Sequence, residues 1–368
     1  MKICHLTSVH PRNDIRIYRK EILSLRKADH HVILIVADSK GDDEKNFILD
    51  VGKEKSRILR ILRTSKKLYN KAIAENADVY HLHDPELLPI ALKLKRNNKI
   101  VIFDFHEDIP KQLISKPYLN RYLLKWISRV FAYYEKRVCA QLDYIITATP
   151  SIRTKFKKIN EHSIAINNYP LLEEMSVNKK VAWEKKENRI CYIGRITLIR
   201  GVREIMKALF YTSDVILDLA GNFDNKKLEY DTMKDISWSK VNYFGFVDRK
   251  KTLSILGNAK AGIVLYLPYP NHLDAQPNKI FEYMASGIPV IASDFPLWKK
   301  IIEENNCGIC VDPKNTGQLT NAINYILHNN EEAKLMGENG RKAVMRKYNW
   351  SSEEQKLLSV YHEAGSRT

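Results

Sequence analysis

The sequence predicts an α/β protein built from two doubly wound domains, each a parallel sheet with helices on both faces. Three observations carry this expectation. A length of 368 residues suits two domains. Short apolar runs alternate with helix-period stretches along the chain, the pattern of repeated βα units. The alternation is interrupted once, by the polar stretch "NNYPLLEEMSVNKKVAWEKKEN", read as a linker near residues 168–188. The predicted domains are therefore 1–172 and 173–349.

The first series of strands reads "KICHLTSV", "HVILIVA", "DVYHLH", "KIVIFDFH" and "DYIITAT". Between the first two, Ile15, Tyr18, Ile22 and Leu25 recur at helical spacing over 14–27. The second series reads "RICYIGR", "DVILDLAG", "VNYFGF", "AGIVLYL", "IPVIASD" and "CGICVDP". Doubly wound sheets bind ligands beyond the carboxyl ends of their strands. Two such domains facing each other would form a cleft with a site on each wall.

Composition narrows the function classes. No apolar run approaches the roughly 18 residues of a membrane span, and "MKICHLTSVH" is too short and polar for a signal peptide. Five cysteines in so long a chain suggest no disulfide framework and fit a reducing cytosol. The single CxxC, Cys307 with Cys310, lacks a second ligand pair, so two small residues beside a buried strand are the simpler reading. The net charge is +17, divided as +13 over residues 1–170 and +4 over the remainder. That asymmetry suggests different partners for the two halves. No zinc-finger spacing, RNP-like strand or helical reader motif accompanies it, which argues against nucleic acid.

The second half carries the chemistry. In "LDAQPNKIFEYMASGIPVIASD", Pro277 suits the first turn of a helix that should run from about Asn278 to Ala285 and stop at Gly287. The backbone N–H groups of Asn278 and Lys279 would then be available to an anion. Asp274 precedes that terminus and Glu282 lies one turn inside, so an anion seat has a carboxylate on either side. A nucleotide sugar has the matching order of groups: sugar hydroxyls, phosphates, ribose diol. In "YIGRITLIRG", Gly194 and Arg195 follow a strand and Arg200 precedes Gly201. A glycine turn with two guanidinium groups suits a diphosphate, because Arg forms charge-assisted, often bidentate bonds to phosphate.

On these residues the sequence resembles the retaining glycosyltransferases of family GT4, of the bacterial surface-polysaccharide type, over most of its length. The acidic pair spaced E-x7-E in that family appears as Asp274-x7-Glu282. The Gly-Arg followed by Lys-Gly appears as Gly194-Arg195 and Arg200-Gly201, the helix motif as "EYMASGIPV", and the strand-end His as His106 in "FDFHED". "YNWSSEEQKLLSVYHEA" resembles the final helix, which would cross back onto the N-terminal domain as residues 350–368. The sequence departs from the family in having Asp at the first acid, Arg at the Lys position, and "SVHPRNDIRIYRK" where a glycine pair is common.

The resemblance implies a GT-B fold, a nucleotide-sugar donor (UDP favoured over GDP), no metal or other cofactor, and a lipid-linked or polysaccharide acceptor. It implies that Arg195 and Arg200 hold the diphosphate, Glu282 the ribose, Asp274 the donor-sugar hydroxyls, and His106 the donor sugar. Gly221 and Gly245 would let backbone approach the nucleotide, and the base would be read by backbone near Phe246 and Val247. His83, Asp84 and Glu86 in "HLHDPELLP" follow a strand and are expected on the acceptor side. A different class of function, a catalytically silent nucleotide-binding module of an assembly complex, remains open because of the Asp274 and Arg200 replacements.

The basic half adds a membrane expectation. In 116–137, "KPYLNRYLLKWISRVFAYYEKR", Tyr122, Trp126, Val130 and Tyr133 share helical spacing beside Tyr118, Leu119, Leu123 and Ile127, while Arg121, Lys125 and Arg129 recur every four residues. Residues 53–71 add Lys53, Lys55, Arg57, Arg60, Arg63, Lys66, Lys67 and Lys71. Such a pattern suits a helix lying on an anionic bilayer, hence a cytoplasmic protein peripheral to the inner face of the membrane. The competing expectation is a core-packed helix with solvated basic residues.

Overall fold

The structure is a computed structural model and describes residues 1–114, 120–173 and 181–366. The chain forms two compact units, Met1–Asn168 together with Trp350–Thr368, and Tyr169–Asn349. The change of unit falls between Asn168 and Tyr169, and residues 174–180 of the expected linker lie outside the described residues.

The first unit holds a parallel sheet of seven strands among the described residues: β1 Lys2–Leu6, β2 His31–Val36, β3 Ile48–Asp50, β4 Val79–Leu82, β5 Ile100–Phe105, β6 Tyr144–Thr147 and β7 Ser163–Ala165. Their order is β3-β2-β1-β4-β5-β6-β7, so the winding reverses between β1 and β4. β3 and β7 are three-residue edge strands too short to show an alternation in the sequence. The sheet is covered on both faces, so its strands are apolar runs such as "HVILIV", whose residues are buried after the first. The helix Trp350–Gly365 belongs to this unit, where Trp350 Nε1 donates to Ser24 Oγ at 3.0 Å.

The helix expected over 14–27 is present but wound differently. Ile15–Ile22 is a π-helix capped by Asp14, whose side chain accepts from Arg16 and Ile17 N–H, and Leu23–Lys27 continues as α-helix. The wider turn changes which residues face inward. Ile15 is exposed, and Arg16, Lys20 and Glu21 are buried beside Ile17 and Ile22. An apolar stripe at α-helical spacing therefore described this segment incompletely.

The second unit holds six parallel strands among the described residues: β8 Arg189–Ile193, β9 Ile216–Ala220, β10 Val241–Gly245, β11 Ala261–Val264, β12 Val290–Ser293 and β13 Gly308–Val311. The order β10-β9-β8-β11-β12-β13 reverses between β8 and β11. β8 shows how both faces are filled: Cys191 and Ile193 enter one core, while Ile190 and Tyr192 enter the other. All five cysteines are unpaired; Cys307 is buried and Cys310 partly so.

Two glycines in this unit answer to close packing. Gly221 follows β9 with φ +135°, and a Cβ there would stand 1.8 Å from the Gly194 carbonyl oxygen. Gly262 in β11 lies against the ring of Tyr283, 2.3 Å from where its Cβ would be. Gly221→Ala therefore forces backbone apart, and a loss of about 2 kcal/mol or more is expected. Gly257 lies in the helix Arg249–Asn258 with nothing within 4 Å of its Cβ position, and Gly257→Ala should stabilise by about 0.5–1 kcal/mol. Thermal melting of the two variants checks the opposite signs.

Candidate functional site

The site in the second unit gathers at the carboxyl ends of β8 to β11, at the reversal of strand order. Gly194 N–H donates to Ala220 O, and Gly221 N–H donates to Gly245 O at 2.7 Å, which stitches three strand ends together. Gly221 thus accommodates the Gly194 peptide itself, a correction to the expectation that its freedom serves a ligand. From Gly194 the chain turns through Arg195 to the short 3-10 turn Leu198–Arg200, capped by Thr197 and closed by Gly201 at φ 69°. Arg200 is partly buried, with its guanidinium 5.0 Å from the Tyr266 ring centroid, and its Nη1 lies 3.9 Å from the Cβ position of Gly194. Arg195 is exposed and paired with Asp224 at 2.5 Å. Two guanidinium groups therefore stand beside one glycine turn.

The helix Asn278–Ser286 begins at Pro277, which is its cap residue rather than its first turn, and ends at Gly287 with φ 72°. No side chain caps its N-terminus, and Asn278 is exposed. Tyr283 fixes this helix against the glycine turn: its hydroxyl accepts from Ile193 N–H at 3.1 Å. Glu282 is largely buried, and its Oε2 accepts from Lys279 Nζ at 2.9 Å and Arg249 Nη1 at 3.1 Å. Burial opposes its ionised form, but Lys279 and then Arg249 outweigh it and hold the carboxyl below its usual range. Asp274 is exposed at the end of the short helix Pro270–Leu273. Phe246 after β10 is 80% exposed, while Val247 packs partly against the core. The polar hollow lined by Arg189, Asp218, Asn242 and Lys251 lies instead at the starts of β8 and β10, away from these groups.

In the first unit, His106 ends just past β5. It is partly exposed, and its Nε2 lies 3.0 Å from Asp104 Oδ2. A partner carboxylate, rather than the backbone, holds this ring. The other three residues read as acceptor contacts have structural duties. His83 is buried, with Nε2 2.9 Å from His5 Nδ1. Asp84 is buried and gathers the loop after β1: it accepts from Thr7 Oγ1 at 2.7 Å, Ser8 N–H at 2.6 Å and Val9 N–H at 3.2 Å, and pairs with His10 at 3.1 Å. Burial raises its pKa, but His10, Thr7 and Ser8 hold it well below the usual carboxylate range. Glu86 pairs with Arg60 through two bonds and accepts from Ser8 Oγ at 2.7 Å. The expectation that His83 and Asp84 meet an acceptor is corrected: both are buried struts that shape a loop.

The helix Arg121–Cys139 presents its aromatic face outward. Asn120 caps it, and its inward side is Leu124, Ser128, Glu135, Val138 and Cys139. Tyr122, Trp126 and Tyr133 are 82%, 64% and 62% exposed, and Leu123, Val130, Lys125 and Arg129 share that exposure. The helix is thus packed on the core through its other side with Lys125 and Arg129 solvated, and its aromatic face is left outward. Residues 116–119, and the side chains of Arg57 and Arg121, lie outside the described residues. In the 53–71 stretch Arg60, Lys67 and Lys71 are paired with Glu86, Glu54 and Asp42, so its positive charge is partly neutralised. No described helix is long and apolar enough to cross a membrane.

Sequence reasoning missed Asp224, Arg249, Tyr266, Tyr283 and Tyr192, whose hydroxyl donates to Arg195 O at 2.9 Å. Arg249 meets Glu282 from 33 residues away, and Tyr283 meets Ile193 from 90. No local spacing signals such pairs. Tyr283, next to Glu282 in the helix motif, could have been singled out as a large residue opposite the "AGIV" strand.

Comparison with known proteins agrees with this architecture. Residues 22–166 match the family described as Glycosyltransferase Family 4, and residues 175–343 the family described as Glycosyl transferases group 1. Taken together, the two matches indicate the GT4, GT-B glycosyltransferase superfamily. An uncharacterized glycosyltransferase of Methanocaldococcus jannaschii is 22% identical over 264 residues, 70% of this chain and 64% of that protein. The alpha-D-kanosaminyltransferase of Streptomyces kanamyceticus is 31% identical over 185 residues, 48% and 46% of the two chains. The chain thus spans less than two thirds of the length of these relatives. Sucrose-phosphate synthase of Thermosynechococcus elongatus shares the fold with a TM-score of 0.80 at 16% identity, over all of both chains. Anabaena HepE, solved with UDP-glucose, has a TM-score of 0.75 at 14% identity, covering 99% of this chain and 100% of its own. These structures share the α/β GT-B fold.

A depressed carboxyl pKa stabilises the fold above the unfolded value and loses that contribution as pH falls through the folded value. Glu282→Gln should therefore cost about 1 kcal/mol at neutral pH. The difference from wild type should shrink below the ordinary glutamate value of about 4.3. Urea titrations at neutral and acid pH check this, and a difference independent of pH would show that Glu282 is not held ionised.

Proposed function

We propose that this chain transfers a sugar from a nucleoside-diphosphate sugar, UDP favoured over GDP, to a lipid-linked or growing polysaccharide acceptor, with retention at the anomeric carbon. The observation that carries the reading is the meeting of Arg195 and Arg200 at the Gly194 turn, with Tyr283 tying that turn to the uncapped helix start at Asn278. Guanidinium groups and a helix N-terminus are the groups that stabilise charge on a departing diphosphate.

In this reading Arg195 exchanges Asp224 for phosphate, and Arg200 is held ready by Tyr266. Backbone N–H groups of Asn278 and Lys279 take a phosphate oxygen. Glu282, kept ionised by Lys279 and Arg249, accepts from the ribose hydroxyls. Asp274 meets the donor sugar, and His106 donates to or accepts from one of its hydroxyls. Gly194 borders the nucleotide, with Phe246 and Val247 beside the base. The bond from the anomeric carbon to the phosphate oxygen breaks as the acceptor oxygen bonds on the same face. The acceptor proton passes to the leaving phosphate, so no protein base and no metal are required. UDP is favoured because the fold neighbour HepE was solved with UDP-glucose.

The exposed aromatic face of Arg121–Cys139, flanked by Lys125 and Arg129, supports a peripheral position on the cytoplasmic face of the membrane, where a lipid-linked acceptor resides.

Incubation with a panel of UDP- and GDP-sugars and cell membranes tests the activity. Arg200→Ala should lower kcat by roughly 10²–10³-fold, as loss of a group aimed at developing charge does. Arg200→Lys should retain part of that, since charge survives and the stack on Tyr266 does not. Nucleotide binding without turnover from any donor would instead favour the silent binding module.

Vesicle flotation tests the membrane contact. Binding should require anionic lipid and weaken with salt. Each of Lys125→Glu and Arg129→Glu should weaken it by about fivefold or more, from about 1 kcal/mol per basic residue. Trp126→Ser should weaken it without lowering the melting temperature, because that ring is exposed. Indifference to anionic vesicles at low salt would remove the membrane from the scheme.

A further inference from the structure

Behind His106 lies a buried set of ionisable side chains that the proposed chemistry does not use. It comprises Arg16 and Glu21 from Ile15–Ile22, His5 from β1, His81 from β4 with His83 just after it, Asp104 from β5, and Tyr361 from Trp350–Gly365. His10, in the loop after β1, faces His106 from the other side at 4.9 Å between ring centroids and is paired with Asp84.

We infer that Asp104 is the positioning residue for His106, fixing it with the proton on Nε2 and Nδ1 turned away from the carboxylate, and that a one-way hydrogen-bond chain runs from His81 through Tyr361 and His5 to His83, whose Nδ1 faces the same carboxylate without bonding to it. The inference rests on the proposed role of His106 at the donor sugar.

The direction of the chain follows from Asp104 being an anion. Arg16 grips it with Nε to Oδ2 at 2.7 Å and Nη2 to Oδ1 at 2.9 Å, and also donates from Nη1 to Ile166 O at 2.8 Å. Burial opposes ionisation of Asp104, but Arg16 and His106 outweigh it and hold the carboxyl well below its usual range. Burial and the Asp104 charge push Glu21 well above its usual range, so one buried cation faces one buried anion. A carboxylate only accepts. His106 Nε2, at 3.0 Å from Oδ2, must therefore donate.

His83 Nδ1 lies 3.5 Å from the same oxygen and makes no hydrogen bond, and facing an anion it carries N–H rather than a lone pair. Burial brings the His83 pKa down to about 4, so the ring is neutral near pH 7 and its Nε2 is an acceptor. His5 Nδ1 then donates to it at 2.9 Å, which leaves His5 Nε2 to accept from the Tyr361 hydroxyl at 3.3 Å. Tyr361 in turn accepts from His81 Nδ1 at 2.7 Å. Each link uses one proton, and no ring need carry a charge.

The same residues also offer a metal-like set, His5, Glu21, His81 and His83, with one ligand atom from each within 4.8 Å of the others. The geometry favours the hydrogen-bond chain. The His5 and His83 rings lie within 19° of parallel with centroids 5.1 Å apart, while their facing nitrogens are 2.9 Å apart. The nitrogens therefore lie close to the line joining the centroids. Their ring axes point at each other, whereas ligands must converge on an ion.

Long-range ¹H–¹⁵N spectra of the full chain, labelled at histidine and assigned with His106→Gln, read the tautomers directly. The expected result is His106 as the Nε2–H form when neutral, and His83 and His5 as Nδ1–H forms. A neutral His106 carrying its proton on Nδ1 overturns the inference without need of any variant. In Asp104→Asn, the His106 signals should move to a tautomer mixture and turnover should fall by about tenfold or more at little change in KM. An unchanged His106 tautomer in that variant also overturns it. If Asp104→Asn does not fold, Tyr361→Phe supplies the second reading: the fold persists, His81 loses its fixed tautomer while His5 keeps its proton on Nδ1 toward His83, and persistence of the His81 tautomer refutes the chain. Failure of every donor in the transfer assay would remove the sugar-transfer role and leave the tautomer result standing.

Discussion

The buried pair of Arg16 and Asp104 is the constraint around which the first unit is arranged. It joins the first helix to the central strand β5 and, through the Ile166 carbonyl, to the last segment before the change of unit. Removing one partner of such a pair leaves a bare charge in the interior, at a cost of about 3–5 kcal/mol. The π-helical winding of Ile15–Ile22 is consistent with that requirement, since it brings Arg16, Lys20 and Glu21 inward together. Polar residues at the centre of a sheet domain are costly unless matched, and here the matching runs through four strands or strand ends and two helices, although His81 Nε2, His83 Nδ1 and the Glu21 carboxyl oxygens make no hydrogen bond. His106 sits at the edge of this network, where rigidity behind it and partial exposure in front of it meet.

The second unit solves a different problem, with backbone rather than charge. Its site needs three strand ends close together and a helix start aimed beside them. Glycines let the Gly194 and Gly221 peptides touch, and Tyr283 bridges from the helix to β8 across Gly262. The charged groups are then added at the edge, each with a resting partner: Arg195 with Asp224, Glu282 with Lys279 and Arg249. The resting pairs orient these groups, and Lys279 and Arg249 favour the ionised form of Glu282.

Much of the second unit's arrangement around Gly194 was legible in local spacing. The glycine turn after β8 and the helix between Pro277 and Gly287 depend on backbone rules that act within a few residues. The first-unit cluster was less legible. "HLHDPELLP" follows a strand, and polar residues there look like surface groups, yet His83 and Asp84 are buried because Thr7, Ser8 and His5 approach from more than 70 residues away. The aromatic face of Arg121–Cys139 shows the reverse case. Periodicity revealed the stripe, but an apolar stripe alone does not say whether it faces protein or solvent.

What the sequence determined by itself was the alternation of strand and helix, hence two parallel sheets, and the placing of Gly194, Arg195, Arg200 and Asp274 at element ends with Glu282 one turn inside a helix. Those features follow from hydrophobic period and turn chemistry, which are local. The tertiary structure decided which charges are paired, which histidines are buried, and which face of a helix is left to solvent. These depend on side chains brought together from distant parts of the chain, where burial alters the energy of every ionisable group and no spacing along the sequence records the encounter.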